Sequence, residues 1–441
     1  MSNQSILRIT RELGEIQRGS DLSLAVACRD IDVRQVRALI IGPPDTPYEF
    51  GFFEFAVKFT KEYPTKAPSV TAVTTNLGRT RFNPNIYAAG RVCLSILGTW
   101  RGERGEEWSS AQGLESILIS IQSLMSSNPY ENEPGFEDAN SDYDKKNQEA
   151  YVAKIRHETL RISVIERLED YLGIGQERVP GVTVHNVEED YKNGTEKLFE
   201  PFKDLCKRRF LWYYESYLQS IEREAKRHKD GDRFEKMPFE GPGNSMDGTF
   251  QYSSLKERLQ AVYEKLNEET LSWAIEGQTT VQKEMSIASN LQRQFEQIVE
   301  NYKENNDSIT LDLELVDKNP FVWQLVIFGR PMTNLDGGIF RIMIYLSPKF
   351  PNELPRIKFE TPIFHHRISK NGVLCYNPTR KDDMKSHIES IIEAIEEESP
   401  AYDPRTLVNP EAAKLFWGTA DDKKIYNRRL RRSVQDSADF C

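Results

Sequence analysis

With 441 residues, 38% hydrophobic and 10% aromatic, the chain can build two or three packed domains; 29% charged residues and a mean hydropathy of −0.59 imply a well-solvated surface, not wholesale disorder. A net charge of −10 argues against duplex nucleic acid as a partner, since phosphate neutralisation needs a basic face, and leaves runs such as Lys207-Arg208-Arg209 as solvated helix faces. No apolar run approaches the roughly 18 residues of a membrane span. Residues 1–10 lack a signal-peptide core, and five scattered cysteines without CxxC or zinc spacing point to free thiols in cytosol or nucleus, with no metal and no cofactor.

In chain order, Ser5 to Gln17 sets Ile6, Ile9, Leu13 and Ile16 at helical spacing, with Arg8 and Arg11 on other faces. Ala25 to Ile41 is rich in β-branched residues, Gly42-Pro43-Pro44-Asp45 marks a turn, and Gly51 to Phe59 alternates before a turn at Tyr63-Pro64. Helix, antiparallel meander, turn and further helices predict an α+β domain. Asn83-Pro84-Asn85 then places an amide eight residues before Cys93, and Gly90 permits the reversal that brings the two together. A thiol beside a carboxamide suits a nucleophile whose thioester, when attacked, develops an oxyanion that an N–H stabilises; the other reading is a buried structural cysteine.

A polar loop, Arg101 to Glu107, leads to a helix over Gln112 to Ser126 that Ser109 or Ser110 can cap, with Leu114, Ile117, Leu118, Ile121 and Leu124 as its buried stripe. The following turn carries Glu131 and Glu133. A carboxylate there either orients and desolvates an incoming lysine, which at its ordinary pKa of about 10.4 is mostly protonated, or is an exposed loop acid. Tyr151 to Tyr171 reads as helix, with His157 as an interhelical hydrogen-bonder, and Gly173 to Gly181 breaks it. Glu189 to Lys226 and Tyr252 to Trp273 are again helical, separated by a Gly/Pro-rich link, Gly231 to Gly248.

Pro84, Asn85, Gly90, Val92, Cys93, Leu94, Ile96 and Leu97 stand as they do in the active-site signature of the ubiquitin-conjugating enzymes, which this segment resembles; Asn83 takes the signature histidine's place. Thr46-Pro47-Tyr48-Glu49, the Tyr-Pro turn and the element order are similar too. RHETLRISV, FLWYYESYLQ and FQYSSLKERL resemble the helical extension of the large Z-type members, over about residues 5–270. The resemblance implies a transferase that takes ubiquitin or a ubiquitin-like modifier onto Cys93 from an activating enzyme and passes it to a lysine on a protein substrate. It implies Asn85 as oxyanion donor and Glu133 as the lysine-gating acid. Thr65, Ser110 and Ala111 fall where the family is read by ubiquitin ligases, Thr65 replacing a large apolar residue; Arg8 and Arg11 are expected to contact the activating enzyme.

The second half repeats the first. Gly42, Gly51, Phe53 and Pro64 recur 287 positions on as Gly329, Gly338, Phe340 and Pro351, whereas Phe82, Gly90 and Cys93 recur 282 positions on as Phe364, Gly372 and Cys375. The five-residue difference belongs in one loop after Pro68. A helix over Leu291 to Tyr302 and strands over Ser308 to Val316 and Val322 to Phe328 repeat the opening, and Leu407 to Ala413 is similar to the start of the family's penultimate helix. The expected architecture is two UBC-like folds joined by a helical extension: 1–150 catalytic, 151–288 extension and linker, 289–441 a second copy. There, His366 and Arg367 replace Pro84 and Asn85, and Lys381-Asp382-Asp383 replaces the tryptophan loop. Cys375 is either a second thioester site, with His365, His366 or Arg367 supplying positive charge that lowers the thiol pKa, or a residual cysteine in a binding copy. For the whole chain the rival to an enzyme is a non-catalytic scaffold of two such folds that binds modifier or ligase.

Overall fold

A computed structural model describes residues 3–102, 105–175, 199–241, 246–283, 285–304 and 311–440. Parts of the sequence-predicted segments 101–107, 173–181, 189–226, 231–248 and 308–316, and Cys441, lie outside the described residues. The chain forms two compact units, Met1–Cys206 with Ser220–Val262, and Lys207–Gln219 with Tyr263–Cys441.

In the first unit, helix α1 (Asn3–Arg18) is followed by an antiparallel meander of β1 (Leu24–Arg29), β2 (Asp32–Ile41), β3 (Phe52–Lys58) and β4 (Ser69–Ala72). Ile9, Leu13 and Ile16 of α1 and Leu114, Ile117, Leu118 and Ile121 of α2 (Leu114–Leu124) meet Phe53, Phe55 and Val57 of β3 in one core. Each such buried aliphatic or aromatic side chain is worth roughly 1.5–3 kcal/mol. Neither Ser109 nor Ser110 caps α2, which begins two residues later than expected. Its first amide, Leu114 N, donates 3.0 Å to Glu12 Oε2 on α1. The Glu12 carboxylate is pinned there by Arg8 Nε at 2.8 Å and by the Tyr63 hydroxyl at 2.6 Å, so a charge from another helix faces the positive end of α2.

The other face of the sheet is covered as well. Helix α3 (Asp142–Glu158), whose N-terminus is closed by a Ser141/Asp144 capping box, runs through a π-helical segment, Thr159–Glu166, into α4 (Arg167–Leu172). Arg167, fully buried, donates 2.9 Å to Glu54 Oε2 on β3 and 2.9 Å to the Thr74 hydroxyl. His157 Nε2 accepts from Gln251 N at 3.0 Å, tying α3 to the residue before a later helix.

Helices α5 (Lys203–Glu224) and α6 (Tyr252–Lys283) each contribute residues to both units. The boundaries expected at residues 150 and 288 fall inside α3 and α7 (Met285–Glu304), and the residues between them are shared between the two units. Among the described residues no helix is long and apolar enough to cross a membrane.

The second unit continues from α7 into β5 (Leu311–Leu315), β6 (Val322–Phe328), β7 (Ile339–Tyr345) and β8 (Arg356–Phe359), then α8 (Met384–Glu396), α9 (Pro410–Phe416) and α10 (Ala420–Phe440). Its sheet repeats the first pair by pair. Ile41 faces Phe52 as Phe328 faces Ile339, and Lys58 faces Ser69 as Tyr345 faces Arg356. Gly42 and Gly329 are required by the same close approach, because a Cβ at either would overlap the carbonyl of Tyr48 or Leu335. Thr74 and Thr361 accept equivalent strand amides, from Glu54 and Arg341, at 2.9 Å. The shortening therefore falls beyond them: Thr75–Arg81 in the first copy is answered by Pro362 and Ile363 alone in the second.

Replacing Glu54 with alanine should destabilise the first unit by about 3–5 kcal/mol, because it strands the buried Arg167 charge. In denaturant titrations, the joint change Glu54→Leu with Arg167→Met should recover most of that loss.

Candidate active site

The loop from Asn83 to Thr99 has little regular structure, yet much of it is buried, so its polar groups must be satisfied from within. Asn83, fully buried, donates through Nδ2 to Leu124 O at 2.8 Å and to the Tyr48 hydroxyl at 3.0 Å, while its Oδ1 accepts from Asn85 N at 2.9 Å. Asparagine thus supplies both the donor and the acceptor the turn needs. Asn85 Nδ2 donates to Cys93 O at 3.0 Å, and Cys93 N returns a bond to Asn85 O at 2.8 Å. Gly90 makes the reversal at φ +90°, where a Cβ would stand 2.8 Å from Ala72 O. Thr99, unremarked in the sequence, locks the far side: its hydroxyl donates to Val92 O at 2.7 Å and accepts from Leu94 N at 3.0 Å.

Cys93 is 3% exposed. Tyr87, half-buried, is near enough to Cys93 for the two to interact; burial first, and then Cys93, push the phenol pKa up. Of the two candidate acids, Glu131 is exposed and accepts from Asn128 Nδ2 at 2.7 Å. Glu133 follows a 3₁₀ turn, Pro129–Asn132, and pairs with Arg81 Nη2 at 2.9 Å. Arg81 and Tyr87 were not singled out in the sequence, and nothing in their spacing marks them.

A second cluster brings together four of the residues expected to meet partners. Arg8 donates to Ser110 O at 2.6 Å and Gln112 O at 2.7 Å, Trp108 Nε1 donates to Pro64 O at 2.8 Å, and Thr65, Ser110 and Ala111 are exposed around them. Arg8 is thereby spent on internal bonds. Arg11 projects from α1 with only an exposed 3.5 Å pair to Glu15.

In the second unit the same backbone carries different chemistry. Cys375 N donates to Arg367 O at 2.9 Å, and His365 Nδ1 accepts from Arg367 N at 3.1 Å, as Asn83 does for Asn85. Cys375 is 2% exposed, with Arg209 and Tyr213 of α5 beside it. Arg209 is itself 4% exposed, stacks 4.1 Å over Trp212 and leaves Nε and Nη1 without partners. Tyr213 donates to Arg405 O at 3.0 Å. Of the residues expected to lower the Cys375 pKa, Arg367 does act on it, joined by Arg209 and Arg208, but burial outweighs them and the thiol is pushed up to about 11. Arg367 turns outward to Glu397 at 2.9 Å, and His366 is buried between His365 and Phe416.

Comparison with known proteins agrees with this duplicated arrangement. The family model described as ubiquitin-conjugating enzyme matches residues 8–159 and again 290–434. Ubiquitin-conjugating enzyme E2 Z of Xenopus tropicalis is 38% identical over 267 residues, 60% of this chain and 74% of that protein. The Homo sapiens E2 Z is 38% identical over 265 residues, 60% of this chain and 64% of that one. The dual E2 ubiquitin-conjugating enzyme/E3 ubiquitin-protein ligase BIRC6 of Homo sapiens is 39% identical over 152 residues, 34% of this chain and 3% of its own length. A solved E2 domain of a Toxoplasma gondii ubiquitin conjugating enzyme is 28% identical, with a TM-score of 0.29, covering 36% of this chain and 98% of that one.

His365, His366 and His387 are all buried, and desolvation holds them down at about 3, 2 and 4, against an ordinary 6.5. They stay neutral in the fold while the unfolded chain takes up protons below about pH 6.5. The second unit should therefore keep its full stability above that pH and lose up to about 1.4 kcal/mol per histidine per pH unit as the pH falls towards 4. Peptide-resolved hydrogen exchange on β6 and β7 at pH 7.5 and 5.5 measures this; unchanged opening free energy would contradict it.

Proposed function

Because the chain belongs to the ubiquitin-conjugating enzyme family, we propose that Cys93 accepts ubiquitin or a ubiquitin-like modifier as a thioester from an activating enzyme and delivers it to a lysine. The observation that carries this reading is the paired bonding of Asn85 and Cys93, which sets a carboxamide against the main chain of the thiol. In the transfer, a neutral lysine amine attacks the thioester carbonyl carbon. The C–N bond forms, the C–S bond breaks, Cys93 leaves as thiolate and the amine's proton passes to water. The oxyanion of the tetrahedral intermediate is met by the Asn85 amide, which has a second N–H beyond the one given to Cys93 O. Glu133 receives the amine.

The same reading assigns binding, not carriage, to the second copy, residues 289–441. A thiol pushed up to about 11 by burial lacks the thiolate fraction for exchange. The exposed Thr65, Ser110 and Ala111 supply the surface for a ligase, and Arg11 rather than Arg8 is free to meet the activating enzyme. Free thiols at Cys28, Cys93, Cys206 and Cys375 fit a reducing compartment, cytosol or nucleus.

Incubation with activating enzyme, ATP and ubiquitin, followed by a non-reducing gel, should show a reductant-sensitive adduct that Cys93→Ser abolishes and Cys375→Ser leaves intact. Asn85→Ala should still load yet discharge to free lysine about 10²–10³-fold more slowly. An adduct that survives Cys93→Ser places the carrier elsewhere, and equal discharge removes the oxyanion role. Binding of ubiquitin without any thiol adduct would leave only the scaffold.

A further inference from the structure

Arg81 is an interior arginine, its side chain 8% exposed, and one nitrogen does two jobs: Nη2 donates to Pro84 O at 2.6 Å and to Glu133 Oε2 at 2.9 Å. Its guanidinium carbon lies 4.8 Å from the centre of the Tyr87 ring, the ring that interacts with Cys93. The Asn-Pro-Asn turn, the candidate acid and the tyrosine that interacts with the thiol are thus joined through one cation. Its Nε is buried and meets no acceptor among the described residues.

The second copy shows that the loop's shape does not need this residue. The bridges Asn83 to Ile86 and Ile86 to Val92 recur as His365 to Ile368 and Ile368 to Leu374, and the amide of each cysteine makes the same bond. Yet Ile363 stands in the place of Arg81 and Ser369 in that of Tyr87. The second copy has lost the guanidinium together with the amide.

We propose that Arg81 is a positioning residue for lysine discharge, a role that rests on the carrier reading above: it fixes the Glu133 carboxylate beside the Cys93 loop and neutralises it, so that the acid orients an amine without stabilising its ammonium form. The physical need is plain. At neutral pH only about one lysine in a thousand is unprotonated, and a bare carboxylate 20% exposed at the site would hold the charged form still more firmly. With Arg81 in place, Glu133 keeps oxygen lone pairs for an N–H while the net charge of the pair is zero. The other ionisable groups facing the cluster are Tyr87 and Cys93 in the loop, Tyr48 before β3, and Tyr151 on α3 with Glu240 behind it. The three phenols are raised above their ordinary value, chiefly by burial, and Cys93 is acylated during discharge, so neither the phenols nor the thiol titrates between pH 6.5 and 9.

The test uses the full chain loaded on Cys93 and discharged into free lysine in single turnovers from pH 6.5 to 9. Arg81→Met should load normally, show a rate profile displaced about one pH unit to the alkaline side and about tenfold slower at pH 7.5, and have a lower KM for lysine. Arg81→Lys should stay near the unsubstituted protein, and Arg81→Met combined with Glu133→Gln should return the profile towards it. An undisplaced profile, a loss uniform across pH that lysine does not rescue, or failure of both Arg81 variants to load would overturn the proposal. Failure of the unsubstituted protein to form an adduct would instead remove the carrier reading, and the Arg81 role with it.

Discussion

The ring of main chain between Asn85 and Cys93 is closed from both ends, by a carboxamide on the cysteine carbonyl and by the cysteine amide on the asparagine carbonyl. Each such bond is worth only about 1 kcal/mol net, but leaving one of these buried groups unpaired costs about 1–3 kcal/mol. That asymmetry makes the loop rigid. Its outer bonds go to Tyr48 before β3, the end of α2 and Thr99, so no single element can shift without stranding polar groups elsewhere.

The two copies separate what this loop needs to fold from what it needs to react. Backbone bonds, glycines and strand register recur, and an imidazole in one copy does the acceptor's work of an amide in the other. What differs faces the sulfur. In one copy it meets a tyrosine, with an arginine and an acid behind; in the other it meets a buried guanidinium and a phenol from α5. Desolvation then outweighs three nearby cations, and the sulfur stays a thiol.

The extension has structural consequences for the first fold. Arg167 crosses under the first sheet to Glu54; in the second unit the copy's own last helix does the equivalent work, with Ser437 on α10 accepting from Ile339 N at 3.0 Å. A buried ion pair of this kind adds little net stability over apolar packing, but it penalises misplacement of α4 heavily.

The amino-acid order by itself determined the elements, their sequence, the repeat and the Asn85/Cys93 spacing. Hydrophobic period, turn glycines and a fixed interval are properties of near neighbours and survive any tertiary arrangement. The five-residue shortening, expected in the loop after Pro68, instead falls beyond β4, where the matched Thr74 and Thr361 bonds place it in Thr75–Arg81. Tertiary structure alone decided that Glu12, 102 positions away, caps α2, that Arg81 reaches Glu133 across 52 positions, and that Arg209 lies over Cys375. Those outcomes depend on distance and on exclusion of water. Cations can be counted along a chain, but whether burial outweighs them is set by what folds over the group they surround.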